Sequence, residues 1–150
     1  MGHTFTNHLY HIAFSTKERR HLIAPKIKAE LYKYMCGIAR NHRGQILRIN
    51  GIEDHVHLLA KIQPSISISD FVRLIKANSS KWVSEKFPAV SHFVWQDGYS
   101  SFTVSESNFA KVANYIAQQE EHHKKLSFNE ELEKLLEKHG FEINKDPHLE

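Results

Sequence analysis

The run Gly51-Ile-Glu-Asp-His-Val-His-Leu-Leu-Ala-Lys-Ile62 constrains the fold more than any other stretch. From Ile52 it alternates, with apolar residues at Val56, Leu58, Ala60 and Ile62, which predicts a β-strand with one face in a core. Successive strand side chains point to opposite faces, so His55 and His57 project side by side from the other face. Two imidazoles on a rigid strand supply two donors of a metal site, or they are simply a pair of surface histidines. With twelve histidines in the chain, adjacency alone does not decide between the two.

The rest of the chain frames this strand. Leu9–Phe14 is aromatic and β-branched, hence a strand, and Ser15–His21 follows as a basic loop. Pro25 suits the first turn of a helix to about Asn41, with Ile27, Leu31, Tyr34 or Met35, and Ile38 inward. Gly44 ends it. Gln45–Asn50 is a second strand, and Gly51-Ile-Glu-Asp54 predicts an antiparallel hairpin into the histidine strand. A helix from about Ile68 to Lys86, capped by Ser67 or Ser69, places Phe71, Leu74 or Ile75, Asn78 and Trp82 along one side. Phe93–Trp95 and Ser101–Val104 flank the turn Gln96–Tyr99 and read as a short strand or a strand pair. Helices from about Ser107 to His123 and Asn129 to His139 follow, the latter with Glu130, Glu131 and Glu133 near its start, where the helix dipole favours them.

The order β-α-β-β-α-β followed by helices is the split β-α-β, ferredoxin-like plan. The expected fold is therefore α+β, an antiparallel sheet with helices on one face and additional C-terminal helices. Loops are short and no repeat appears, so residues 1–150 read as one domain with an acidic helical tail over about 128–150.

Charge is distributed unevenly. Residues 1–50 carry nine Lys/Arg against two acids, a net +7, whereas residues 101–150 carry six against ten, a net −4. A basic half fits either a polyanionic partner or plain solvation. No apolar run approaches the ~18 residues of a membrane span, and the N-terminus lacks a signal pattern. Cys36 is the sole cysteine and falls in a helical pattern, so it reads as a core residue in a protein of the reducing cytoplasm.

In the third helix, Tyr115 and Gln119 are four residues apart and share a face. A tyrosine can act as a covalent nucleophile, and a Gln oxygen is a hard ligand suited to Mg²⁺ or Mn²⁺. Equally, Tyr115 can pack on the sheet with a wet hydroxyl and Gln119 can be a solvated helix former. His122 and His123 read as a helix-end pair at the negative end of the dipole.

Asp54-His-Val-His-Leu58 followed by Tyr115-x-x-x-Gln119 resembles the single-tyrosine HUH transposases (TnpA-like) of small insertion sequences, a class that includes REP-associated tyrosine transposases. Tyr10–Lys17 resembles the family's first strand and basic loop, Phe71–Trp82 its second helix, and Trp95-Gln-Asp-Gly-Tyr99 its W-x-x-G-Y turn. Tyr115–His123 resembles its catalytic helix. The resemblance implies a cytoplasmic homodimer acting on single-stranded DNA with hairpin-containing ends. It also implies that His55, His57 and Gln119 bind a divalent cation and that Tyr115 attacks a phosphodiester, leaving a 5′-phosphotyrosine link and a free 3′-OH.

The chemistry of the residues is compatible with these roles. Two neutral imidazoles and an amide oxygen leave a cation its full charge and open positions for phosphate oxygens. Each imidazole needs a partner on its other nitrogen, and Glu53 and Asp54 are both near in sequence. Lys17, Arg19, Arg20, Arg43 and Arg48 are candidate phosphate contacts. Trp82, Trp95 and Tyr99 stack on bases or pack in the core. Two other readings remain: a non-catalytic nucleic-acid-binding or regulatory domain derived from such a transposase, and a metal-dependent phosphoesterase. The first would use the sheet as RNA-binding modules do, but no aromatic run lies on the central strands. The second lacks a base for water.

Overall fold

The computed structural model describes residues 2–142. Strands β1 (Leu9–Ser15), β2 (Gly44–Ile52), β3 (His55–Ile62) and β4 (Ser100–Val104) form one antiparallel sheet in the order β2-β3-β1-β4. The hairpin partners β2 and β3 are joined by the turn Glu53–Asp54, and β1 inserts between β3 and β4, which is the split arrangement expected. Ile52 closes β2 rather than opening β3. In register, His55 lies opposite Ser15 and Ile52, and His57 opposite Ala13 and Asn50. The hairpin depends on Gly51, because a Cβ there would lie 2.1 Å from the His55 carbonyl oxygen.

Helices α1 (Pro25–Asn41) and α2 (Ile68–Lys86) cover the Val56–Ile62 face. Ile27, Leu31, Met35, Phe71, Ile75 and Val83 pack there on Ile12, Phe14, Val56 and Leu58. Pro25 opens α1, and the Ser67 hydroxyl caps α2 by accepting the Asp70 N–H at 3.1 Å. The inner face of α2 runs through Phe71, Val72, Ile75, Ser79 and Val83, one step round from the predicted Asn78 and Trp82. Ser79 is drawn inward because its hydroxyl accepts the Trp95 indole N–H at 2.9 Å. Phe93–Trp95 does not form the expected strand. Trp95 makes a single bridge to Thr16 and packs edge-on between Phe14 and Phe93, which places it in the core and not on a base-stacking surface.

The histidine face is covered by α3 (Phe109–Ala117), the short α4 (Gln119–His122) and α5 (Phe128–Lys138). Leu9, Leu59, Val104, Ala113 and Ile116 form one apolar cluster there, and Phe102, Leu135 and Leu136 another. The helix predicted over Ser107–His123 is thus broken: a 3-10 turn at Glu106–Asn108 precedes α3, and Gln118 leaves helical geometry at φ −100° and ψ 19°. Ser127 and Glu130 form a capping box that starts α5. Of the tail expected over about 128–150, residues 143–150 lie outside the described residues. No helix among the described residues is long and apolar enough to cross a membrane.

Candidate active site

His55 and His57 are fully buried, because the face they share is roofed by the C-terminal helices. The Phe128 ring stacks on His55 with centroids 4.5 Å apart. Gln119, fully buried, and Glu131, 2% exposed, are delivered to the same spot by α4 and α5. Four groups from three elements therefore converge where sequence reasoning expected three.

The network is tightly bonded. His55 Nδ1 donates to Asp54 Oδ1 at 2.7 Å, which identifies Asp54, not Glu53, as its outer partner. Hydrogen bonding to His55 outweighs burial and holds the Asp54 carboxyl below its ordinary value. His57 Nδ1 is 2.8 Å from His11 Nε2, and His57 Nε2 is 2.8 Å from Glu131 Oε1. Burial, reinforced by the neighbouring His57, depresses His11 to about 3, and burial holds His57 below its usual value, so both favour the neutral form. Glu131 Oε2 accepts the Gln119 Nε2 amide at 2.7 Å and the Tyr115 hydroxyl. Burial opposes the charge on Glu131, yet hydrogen bonds from His123 and His57 outweigh it and keep the carboxyl far below the usual carboxylate range. Tyr115 is pushed in the opposite direction. Burial and the adjacent Glu131 both raise its phenol well above the ordinary value.

His123 belongs to this network as well as ending a helix. Its Nδ1 donates to the Leu126 carbonyl at 2.7 Å, and its Nε2 lies 3.1 Å from both Gln119 Oε1 and Glu131 Oε1. His122 stacks on Tyr115 at 4.7 Å.

The proton inventory of these contacts is diagnostic. With its Nδ1 committed to Asp54, His55 turns an Nε2 lone pair towards Gln119 Oε1 at 2.9 Å. His123, by contrast, faces oxygens with both ring nitrogens, and its burial is outweighed by its hydrogen bond to Glu131, which raises it towards the doubly protonated form. Two acceptors at such a distance repel unless a proton or a cation lies between them. Turning the Gln119 amide over moves the conflict without removing it, since its oxygen would then face Glu131 Oε2. The ligand atoms of His55, His57 and Glu131 all lie within 4.8 Å of one another. Such a mixed nitrogen and oxygen set fits a divalent cation, and the outer bonds to Asp54 and His11 supply the orientation that ligating imidazoles require.

Glu131 was missed as a site residue because its place near the start of α5 has a sufficient explanation in the helix dipole. A signal was present nonetheless. Phe128, Glu131 and Leu135 share one face of α5, so a single acid stands on an otherwise apolar stripe.

The five basic residues do not form one cluster. Lys17, Arg19 and Arg20 are exposed on the loop after β1, beside the histidine end of β3, where the Thr16 N–H bonds the Asp54 carbonyl at 2.8 Å. Arg19 reaches Asn129 of α5 at 3.0 Å, and Arg20 pairs with Glu18. Arg43 lies just before β2, at the far end of the sheet, and bonds the Ser65 carbonyl. Arg48 lies opposite Leu59 on edge strand β2. Trp82 stacks on Tyr34 at 4.6 Å, and Tyr99 is exposed. Burial raises the Cys36 thiol, which does not suit it to act as a nucleophile.

Comparison with known proteins agrees with this geometry. The sequence profile described as "Transposase IS200 like" matches residues 4–119. The chain is 31% identical over 129 residues to the transposase of insertion sequence element IS200 from Salmonella typhimurium, covering 83% of this chain and 84% of that protein. It is 27% identical over 115 residues to the ISDra2 transposase TnpA of Deinococcus radiodurans, covering 73% and 82%. Among solved structures, a presumed transposase from Deinococcus radiodurans superposes with a TM-score of 0.64 at 27% identity, over 79% of this chain and 96% of the other. A REP-associated tyrosine transposase bound to a REP hairpin shares the fold, with a TM-score of 0.62 at 12% identity, over 84% and 74%. With a profile that spans most of its length and a curated relative above 30% identity, this chain belongs to the IS200-like transposases.

Proposed function

We propose that this transposase cleaves and rejoins single-stranded DNA through a 5′-phosphotyrosine intermediate on Tyr115. His55, His57 and Gln119 would hold Mg²⁺ or Mn²⁺, with Glu131 as a further ligand. The observation that carries the reading is a pair of facing acceptors, His55 Nε2 and Gln119 Oε1, at one buried point beside the tyrosine hydroxyl. A bound cation would polarise the scissile phosphate and offset its developing charge.

The remaining work falls to the chain itself. Glu131, itself bonded by Gln119, accepts the Tyr115 hydroxyl at the site within a single chain. As the bond from the phenolic oxygen to phosphorus forms, the bond from phosphorus to the 3′ oxygen breaks. The phenolic proton passes to the carboxylate it already faces, and the departing 3′ oxygen takes a proton from water to leave as a 3′-OH. The covalent link conserves the bond energy, so a 3′-OH can reseal the strand. Lys17, Arg19 and Arg20 would steer the backbone towards the site, while Arg43 and Arg48 would contact more distant phosphates. The hairpin carried by the REP-associated structure supports hairpin-containing ends as the substrate. The working unit proposed is a cytoplasmic homodimer of single-domain chains.

The test is a denaturing gel of protein incubated with labelled single-stranded DNA and Mn²⁺. Tyr115→Phe should abolish the covalent band, whereas Tyr10, Tyr32, Tyr34 and Tyr99 changed to Phe should each retain it. An undiminished band from Tyr115→Phe would place the nucleophile elsewhere.

A further inference from the structure

Between the β4 edge, α3 and α5 lies a cavity of about 350 Å³, within the range of small-ligand sites. One wall is the Tyr115 ring, and Val104, Val112 and Leu135 supply apolar surface around it. His122 also lines the cavity. Its ring stacks on Tyr115, and its buried Nε2 has no hydrogen-bond partner among the described residues. An orphaned ring nitrogen on an apolar wall is a feature that a polar ligand edge would satisfy.

Three exposed lysines surround this space, Lys111 on α3 and Lys134 and Lys138 one turn apart on α5. None of them has an ion-pair partner among the described residues. Among the described residues the only acid lining the cavity is Glu131, which is already engaged by His57 and His123. A local concentration of cations in the third of the chain that carries net negative charge calls for an anionic ligand. The wall supplied by α5 lies beyond residues 4–119, where the family profile matches, so the cavity is closed by this chain's own C-terminal helix.

We infer that this cavity receives the base of the deoxynucleotide whose 5′ phosphate Tyr115 attacks, with Lys111, Lys134 and Lys138 holding the flanking backbone phosphates. The inference rests on the phosphotyrosine reading above, which makes that nucleotide the one nearest the tyrosine ring. The apolar walls and stacked rings accept a base face, as in other single-strand binders, and His122 Nε2 meets its edge.

The experiment is a methyl-detected NMR titration of the full chain with Mg²⁺, using the four deoxynucleoside 5′-monophosphates, deoxyribose 5-phosphate and inorganic phosphate as probes. At least one monophosphate should shift Val104, Val112 and Leu135 saturably and bind at least tenfold more tightly than deoxyribose 5-phosphate. Val112→Trp, which fills the cavity, should weaken that binding at least tenfold. The double variant Lys134→Glu/Lys138→Glu, at exposed positions that do not endanger folding, should weaken binding of the corresponding nucleoside 3′,5′-bisphosphate, which adds a flanking phosphate, at least fivefold. Equal binding of phosphate and nucleotides, shifts at other methyls, or undiminished bisphosphate binding by the lysine variant would overturn the inference. Tyr115→Phe separates this inference from the reading beneath it. If nucleotides bind wild type and Tyr115→Phe alike but wild type forms no covalent DNA adduct, the nucleophile assignment fails and the pocket stands. An adduct without nucleotide binding sinks the pocket alone.

Discussion

Glu131→Gln tests the active-site network most directly, because it changes one oxygen to an NH₂ group and leaves the shape intact. In the native protein Oε2 accepts from Gln119 Nε2 at 2.7 Å and from the Tyr115 hydroxyl, while Oε1 lies 2.8 Å from His57 Nε2 and 3.1 Å from His123 Nε2. A glutamine offers one acceptor and one donor group, so whichever way its amide turns, an NH₂ meets two neighbours that were donating. Two charge-assisted hydrogen bonds are lost, each worth about 1.5–3 kcal/mol net. Relief from burying a carboxylate at 2% exposure returns part of this. The expected net loss is about 2–4 kcal/mol, a fall in Tm on the order of 10 °C for a chain of this length.

Urea unfolding in EDTA, followed by circular dichroism, measures the loss, and Tm in saturating Mn²⁺ adds a second comparison. A cation at about 100 times its Kd stabilises a protein by roughly 2.7 kcal/mol, and this increment should shrink in the variant if Glu131 is a ligand. A variant within about 0.5 kcal/mol of wild type in EDTA would refute the hydrogen-bond accounting, since that is the ordinary scatter of uninvolved surface positions. An unchanged Mn²⁺ increment would remove Glu131 from the ligand set while leaving His55, His57 and Gln119 in it.

Further outcomes can be checked independently. The double variant His55→Ala/His57→Ala should lose Mn²⁺ binding by at least tenfold in calorimetry, and unchanged affinity would remove the cation from this strand. Gly51→Ala should cost more than about 2 kcal/mol in urea unfolding, because its Cβ would meet hairpin backbone at 2.1 and 2.9 Å; an unmoved midpoint would show that the hairpin yields freely. Tyr32→Phe should be neutral or stabilising by about 1 kcal/mol, since the buried Tyr32 hydroxyl has no hydrogen-bond partner among the described residues; a clear loss of stability would reveal a bond the hydroxyl makes in solution.

How far the sequence reaches follows from the range of each interaction. The alternation from Val56 to Ile62 is a local pattern, and it placed the strand's side chains correctly relative to the backbone. Tyr115 and Gln119, by contrast, fall in separate helices, α3 and α4, and are joined through Glu131. The α2 stripe was misread by one position because Ser79 is buried for the sake of Trp95, sixteen residues away, a contact that no local hydropathy pattern encodes. The break at Gln118 carries no Gly or Pro to announce it. Burial of the histidines was invisible for a similar reason. Nothing in residues 51–62 states that Phe128 and Glu131 will cover their outer face.

That cover explains how a polar cluster survives inside a small protein. A buried imidazole or carboxylate is costly unless every polar atom finds a partner. Here β1 contributes His11, the hairpin turn Asp54, the α4–α5 connection the Leu126 carbonyl, and α5 the Glu131 carboxylate. Each outer nitrogen of the three site histidines is thereby satisfied by protein. What is left unsatisfied is confined to the inner atoms, where His55 Nε2 and Gln119 Oε1 face each other as acceptors. A network complete on its outside and deficient in positive charge at its centre would be a poor device for stability alone, since apolar residues of similar volume would fill the space at less cost. It is a reasonable arrangement for holding a cation beside a tyrosine hydroxyl.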